Sequence, residues 1–204
     1  MKNPWEEIKL SDYESHMKLN TVMQAQCLNA IMKQQFYRYP VKTVLVLGIA
    51  GGNGLEHIDS RIEKVYGVDI NREYLTECKA RYPKLGGILE CVRADLTEEN
   101  AVLPQADLVI ADLFIEYVGY DCFAKAVAKI NPKVVSAVIQ INADEGYVSD
   151  SPYLHVFDQL DSVHHQMEEG ELTQTMDGVG YRLVEQEEYL MPNGKKLVRL
   201  DYKR

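Results

Sequence analysis

Three carboxylates close three short apolar runs, and together they can do chemistry only if those ends converge. Lys64–Ile70 reads Lys-Val-Tyr-Gly-Val-Asp-Ile and closes on Asp69, and Ile88–Asp95 closes on Asp95. Ala106–Leu113 closes on Asp112, with Phe114, Glu116 and Tyr117 just beyond it. A carboxylate at a strand end can accept hydrogen bonds from ribose hydroxyls or an exocyclic amine, and one beside a reacting group can take a proton. Upstream lies Leu45–Ile58, Leu-Val-Leu-Gly-Ile-Ala-Gly-Gly-Asn-Gly-Leu-Glu-His-Ile, an apolar run that enters a glycine cluster and leaves as an amphipathic segment. Glycines there remove the Cβ atoms that keep a ligand from the backbone, and a helix start would add unpaired N–H groups and a partial positive charge. That combination predicts a nucleotide-type pocket, with Asp69 standing where an acid about 20 residues beyond such a loop receives ribose hydroxyls.

Spacing narrows the ligand. A dinucleotide fingerprint, Gly-x-Gly-x-x-Gly, counted from Gly48 requires glycine where Ala50 and Asn53 stand, which weakens an NAD reading. Gly-x-Gly-x-Gly fits better over Ala50, Gly52 and Gly54, with only the first glycine replaced. With the ordered acids downstream, the chain resembles the class I S-adenosylmethionine-dependent methyltransferases over roughly residues 41–142. It departs from their pattern at Gly48, where an acid often stands, and at Ala50. The resemblance implies S-adenosylmethionine as cofactor, with Gly48, Ala50, Gly52 and Gly54 along its methionine and ribose portion. Asp69 would take the ribose hydroxyls and Asp95 would face the adenine amine, with Ile70 and Leu96, the residues after these acids, in the same cofactor set. Asp112, Leu113 and Phe114 would contact the substrate and the transferring methyl. In small-molecule members of this superfamily an N-terminal preface folds over the cofactor, which here would bring Tyr13, His16 and Met17 to the pocket. The implied reaction is direct displacement of the methyl by a nucleophile on a small acceptor, without a metal, and with Glu116 or His16 as base if a proton must leave. Other readings stay open: an aminopropyltransferase-like enzyme, because Gly51-Gly52-Asn53-Gly54 also resembles that loop, and a protein that binds a nucleoside without turnover. Asp112 can equally cap a following helix, Glu116 can be an exposed helix charge, and Tyr13 with Met17 can be an i,i+4 core contact.

The elements that must position these groups alternate from Val41 onward. Helical spacing covers Leu55–Ile62, Arg72–Arg81 and Tyr120–Ile130, and the almost wholly apolar Val134–Ile141 reads as a central strand covered on both faces. Alternation of this kind gives a parallel sheet with right-handed crossovers. Tyr181–Tyr189 and Lys195–Tyr202 flank Met-Pro-Asn-Gly, a strong hairpin signal. The expected fold is α/β, Rossmann-like and doubly wound, with a mainly parallel seven-stranded sheet and a C-terminal antiparallel hairpin. Residues 1–40 would form a helical cap on a domain spanning 41–204, with Asn20 capping a helix whose apolar face is Val22, Ala25, Leu28, Met32 and Phe36. Ala143–Gly178 is polar and is broken by Ser151-Pro152, a helix start; Tyr147, Tyr153, His155, His164 and His165 there are candidates for a substrate cleft.

Composition excludes several classes. The 204 residues are 46% hydrophobic, enough for one sizeable core, and a net charge of −9 opposes a broad nucleic-acid footprint, leaving a small molecule as the expected partner. Cys27, Cys78, Cys91 and Cys122 have neither zinc-ligand nor disulfide-framework spacing. The first residues lack an apolar signal core, and no run approaches the roughly 20 apolar residues of a membrane span, so a cytoplasmic protein is expected.

Overall fold

Short β-branched and leucine-rich runs, separated by glycine and polar turns, become the strands of one sheet. The computed structural model describes residues 3–98, 100–142 and 146–204. Strands β1 (Thr43–Leu47), β2 (Lys64–Asp69), β3 (Leu89–Arg93), β4 (Leu108–Asp112) and β5 (Val134–Ile141) pair in parallel. Strands β6 (Arg182–Leu190) and β7 (Lys196–Lys203) form the antiparallel hairpin, and β7 lies beside β5. The order is β3-β2-β1-β4-β5-β7-β6. Chain direction along the sheet therefore reverses between β1 and β4, and in open parallel sheets ligands bind in the crevice beyond the carboxyl ends at that switch. The register Leu47↔Val68 and Leu47↔Ala111 brings the ends of β1, β2 and β4 level, so Gly48, Asp69 and Asp112 leave the sheet at one edge.

Among the described residues the sheet is accompanied by the α-helices α1 (Leu10–Lys18), α2 (Gln24–Arg38), α3 (Arg72–Arg81), α4 (Tyr120–Ile130) and α5 (Glu169–Gly178). On one face α4 and α5 bury Phe123, Val127, Ile130, Leu172 and Met176 against β4, β5 and β7. On the other, Met32 and Phe36 of α2 and Leu75 and Cys78 of α3 pack on Val44, Val46 and Val65. Asn71 caps α3, its Oδ1 accepting from the backbone of Glu73 and Tyr74. The Asn193-Gly194 turn closes as the sequence predicts, with Gly194 at φ +81° and its N–H on the Met191 carbonyl. No helix among the described residues is long and apolar enough to cross a membrane.

Several expectations are corrected. The segment Leu55–Ile62 is not an α-helix: Leu55–His57 make one 3-10 turn, Ile58 is extended, and the Asp59 carboxylate takes the Arg61 N–H in a tight turn. The sheet face such a helix would cover is already held by α2, whose Met32 and Phe36 share a cluster with Leu55 and Ile62. The glycine loop therefore lacks the helix N-terminus that the sequence suggested, and its binding capacity rests on backbone shape. Asn20 does not cap α2; Met23, at φ 55° and without a side-chain bond, holds that position. Ser151 Oγ accepts from the Tyr153 N–H as a cap would, but the element it opens, Leu154–Ser162, is a 3-10 helix. Asp95 lies two residues past β3, because its carboxylate draws the Thr97 N–H into a turn. Asp112 does not cap the 3-10 turn Ile115–Tyr117 that comes after β4, and Glu116 is buried rather than an exposed helix charge. Of the polar segment, 143–145 lie outside the described residues.

Candidate functional site

Where β1, β2 and β4 end, their exit turns frame a cavity that is open to solvent. Gly48 and Ala50, Asp69 and Ile70, Asp95 and Leu96, and Asp112, Leu113 and Phe114 line its floor, while Trp5, Tyr13, Tyr74 and Tyr117 are aromatic walls. Asp69 organises the floor. Its Oδ2 accepts from the Ala50 N–H at 2.9 Å and its Oδ1 from the Asn71 N–H at 2.9 Å, so one carboxylate ties the loop after β1 to the turn before α3. With only 9% of its surface exposed, its carboxyl is pushed upward by burial, against the N–H groups of Asn71, Ala50 and Ile70, which favour the charge. Ala50 is held at φ 46° and Leu113 at φ 52°, conformations that cost an L-residue free energy and concentrate at functional sites. Gly48 is required twice over: its φ is +69°, and a Cβ there would lie 2.8 Å from Phe114 Cδ2.

Gly52 and Gly54 face elsewhere. A Cβ on Gly52 would meet Tyr82 and Cys78, and one on Gly54 would meet Met32, so these glycines admit core side chains and do not line the cavity. Asp95 lines the cavity with its Oδ1 already accepting from Thr97 N and Oγ1. Asp112 Oδ1 accepts from Gln35 Nε2 at 2.8 Å, while Oδ2 is sealed from solvent without a partner. Burial pushes its carboxyl up to about 7, opposed by Gln35; Asp201 adds to the rise and Arg199 counters it.

A second cavity adjoins the first and shares the walls Trp5, Tyr13, Leu113 and Tyr117. Glu116, 3% exposed, lines it. Its Oε1 accepts from the Gln140 N–H at 2.8 Å and its Oε2 has no partner. Burial pushes this carboxyl up to about 7; the Gln140 N–H opposes that shift and the Asp112 charge adds to it. His16 lines the second cavity and not the first, with Nδ1 2.8 Å from Ser151 Oγ and its basicity lowered by burial and then by Lys195. Of the five residues expected in a substrate cleft, Tyr147 and His164 line it, stacked at 3.7 Å. Tyr153 packs around Ile8 and Phe157, His155 is solvent-exposed, and His165 holds the Glu116 carbonyl through its backbone N–H. Tyr13 packs with Met17, as a core contact would, and also lines both cavities.

Sequence reasoning missed Trp5, Gln35 and Gln140. Trp5 stands edge-on to Tyr13 and Tyr117, with centroids at 5.7 and 4.8 Å, and closes both cavities. Its signal was available: a lone tryptophan in an otherwise polar preface. The two glutamines carried none, because only the packing of α2 and β5 brings their amides to the carboxylates.

Comparison with known proteins gives a family model described as methyltransferase domain, matched by residues 45–138. No curated protein matches the chain in sequence. Among solved structures, magnesium protoporphyrin IX methyltransferase from Synechocystis PCC 6803, with bound SAH, superposes with a TM-score of 0.63 at 12% identity, over 89% of this chain and 82% of that one. The cyclopropane synthase of Mycobacterium tuberculosis gives 0.67 at 10% identity, over 93% and 88%. An S-adenosylmethionine dependent methyltransferase from Mesorhizobium loti gives 0.63 at 16% identity, over 88% and 98%. At these identities the likeness is one of fold.

Proposed function

We propose that this protein, whose residues 45–138 match a methyltransferase-domain family model, is a class I S-adenosylmethionine-dependent enzyme that transfers the methyl group of S-adenosylmethionine to a small-molecule acceptor. The observation that carries the reading is the pair of cavities with common walls at Trp5, Tyr13, Leu113 and Tyr117, one suited to each reactant. The first fits a nucleoside bearing a sulfonium. Gly48 leaves room where a Cβ would fill it, Asp69 offers ribose hydroxyls the remaining lone pairs of a fixed carboxylate, and Asp112 Oδ2 lacks a partner. Bound there, the cofactor supplies an electrophilic methyl on an excellent leaving group.

The chain's own residues then have three tasks. Asp69 and Asp95, with Gly48, Ala50, Ile70 and Leu96, hold the nucleoside, and Asp112 balances positive charge at the common wall. Trp5 and Tyr13, from the helical preface, cover both cavities and exclude water, which strengthens each charge interaction inside. Alignment of nucleophile and methyl can contribute about 7 to 11 kcal/mol where orientation is complete. Glu116 holds any proton the acceptor must lose. His16, tied to Ser151, positions the wall and is the second candidate for that proton. The net charge of −9 favours an acceptor other than nucleic acid. The test is calorimetric titration with S-adenosylhomocysteine and, in parallel, NAD: micromolar binding of the first alone supports the reading, and binding of NAD alone or of neither overturns it.

A further inference from the structure

The second cavity is lined by five Phe, Tyr or Trp side chains and by one carboxylate. Trp5, Tyr117, Tyr147 and Phe157 supply ring surfaces, and ring faces carry the negative end of a quadrupole that attracts cations. Glu116 adds an oxygen, Oε2, that is buried and has no partner. Leaving such an atom unpaired costs roughly 1 to 3 kcal/mol, and a ligand donor would recover it. The two histidines in the wall do not offset this charge. His164 is pushed down to about 4 by burial, with His165 and Lys195 adding to the fall, and is neutral at pH 7; His16 is lowered in the same direction. Lys195, whose charge reaches both rings, is itself buried, donates to the Gly146 carbonyl at 2.5 Å and does not line the cavity. Asp112 lies on the other side of Leu113, so the neighbourhood gains negative charge.

Building on the methyl-transfer reading above, we propose that the acceptor is a small organic amine, seated as its ammonium between the Glu116 carboxylate and the rings of Trp5, Tyr117 and Tyr147, and methylated on nitrogen. An ammonium N–H satisfies Oε2, and the rings take the remaining charge. An anionic acceptor would place a further negative charge beside Glu116 and Asp112. In the reaction the ammonium proton passes to Glu116, the freed nitrogen pair bonds to the methyl carbon, and the pair of the broken carbon–sulfur bond stays on sulfur. The product is the methylated ammonium, and Glu116 returns its proton to water. A carboxyl titrating near 7 is suited to this exchange at neutral pH.

Three probes with one skeleton and three charges test it: benzylammonium, benzyl alcohol and benzoate, titrated into the full chain at pH 8 with and without S-adenosylhomocysteine. Calorimetry gives the affinities, and the emission of Trp5, the only tryptophan, reports occupancy at the common wall. The expected result is binding of benzylammonium at least tenfold tighter than the alcohol or benzoate. Glu116→Gln abolishes that preference and Tyr147→Leu reduces it several-fold, while both leave S-adenosylhomocysteine affinity within twofold. Equal affinities, a preference for benzoate, or a preference unchanged in both variants would overturn the proposal. Ammonium selectivity without S-adenosylhomocysteine binding would overturn the cofactor reading alone, whereas the reverse would overturn the amine and leave the cofactor standing.

Discussion

If Asp112 faces the sulfonium, the affinity for S-adenosylmethionine depends on pH in a way that the affinity for its neutral product does not. The carboxyl titrates at about 7 because burial penalises its charge and only Gln35 bonds it. Roughly a tenth of the protein then carries an ionised Asp112 at pH 6 and roughly nine tenths at pH 8, so sulfonium affinity should rise about tenfold between them, about 1.4 kcal/mol. S-adenosylhomocysteine has no sulfonium and should change by less than about twofold. Asp112→Asn keeps the size of the side chain and its bond to Gln35 but cannot ionise. It should flatten the S-adenosylmethionine profile at the low, pH 6 affinity. Glu116→Gln should keep the slope, which separates the two carboxyls that titrate in the same range. Calorimetry of both ligands at pH 6 and pH 8 is the assay. An equal slope for the two ligands, or a slope that persists in Asp112→Asn, would refute the placement of Asp112.

Asp69→Ala should weaken S-adenosylhomocysteine by about tenfold or more, because the ribose loses a charged acceptor and the N–H groups of Ala50 and Asn71 lose theirs; calorimetry with a circular dichroism control for folding checks this. Gly48→Ala forces a Cβ toward Phe114 at a positive φ, so binding of S-adenosylhomocysteine should fall at least several-fold and thermal stability should drop by about 1 kcal/mol. Stability should also fall as pH rises from about 4.5 to about 7, since a buried carboxyl held above its ordinary range contributes fully below that range and loses its contribution as it ionises. Glu116→Gln should therefore melt higher than the parent at pH 8, by about 1 to 3 kcal/mol, and equal it near pH 4, as thermal denaturation at both values would show.

Much of the sheet is legible in the sequence, because each strand is a continuous apolar run and both of its faces must be covered whatever covers them. Val134–Ile141 is recognisable by that criterion, and Asn193-Gly194 by the φ its turn requires. The placing of Asp69 and Asp112 at one sheet edge was also legible, since each is the last residue of its strand, whereas Asp95 lies in a turn beyond β3. Tertiary structure decided the rest. The helix expected over Leu55–Ile62 does not form because Met32 and Phe36, far away in sequence, occupy its place on the sheet. Of the glycine cluster, Gly48 and Ala50 face the cavity while Gly52 and Gly54 accommodate Tyr82 and Met32, a division invisible to spacing. Glu116 has the composition of a surface residue, and its burial with one unpaired oxygen arises only when β5 brings Gln140 beside it. Periodicity encodes which face of an element is apolar; which element will press against that face, and which charge will be stranded there, depends on contacts between segments that share no local signal.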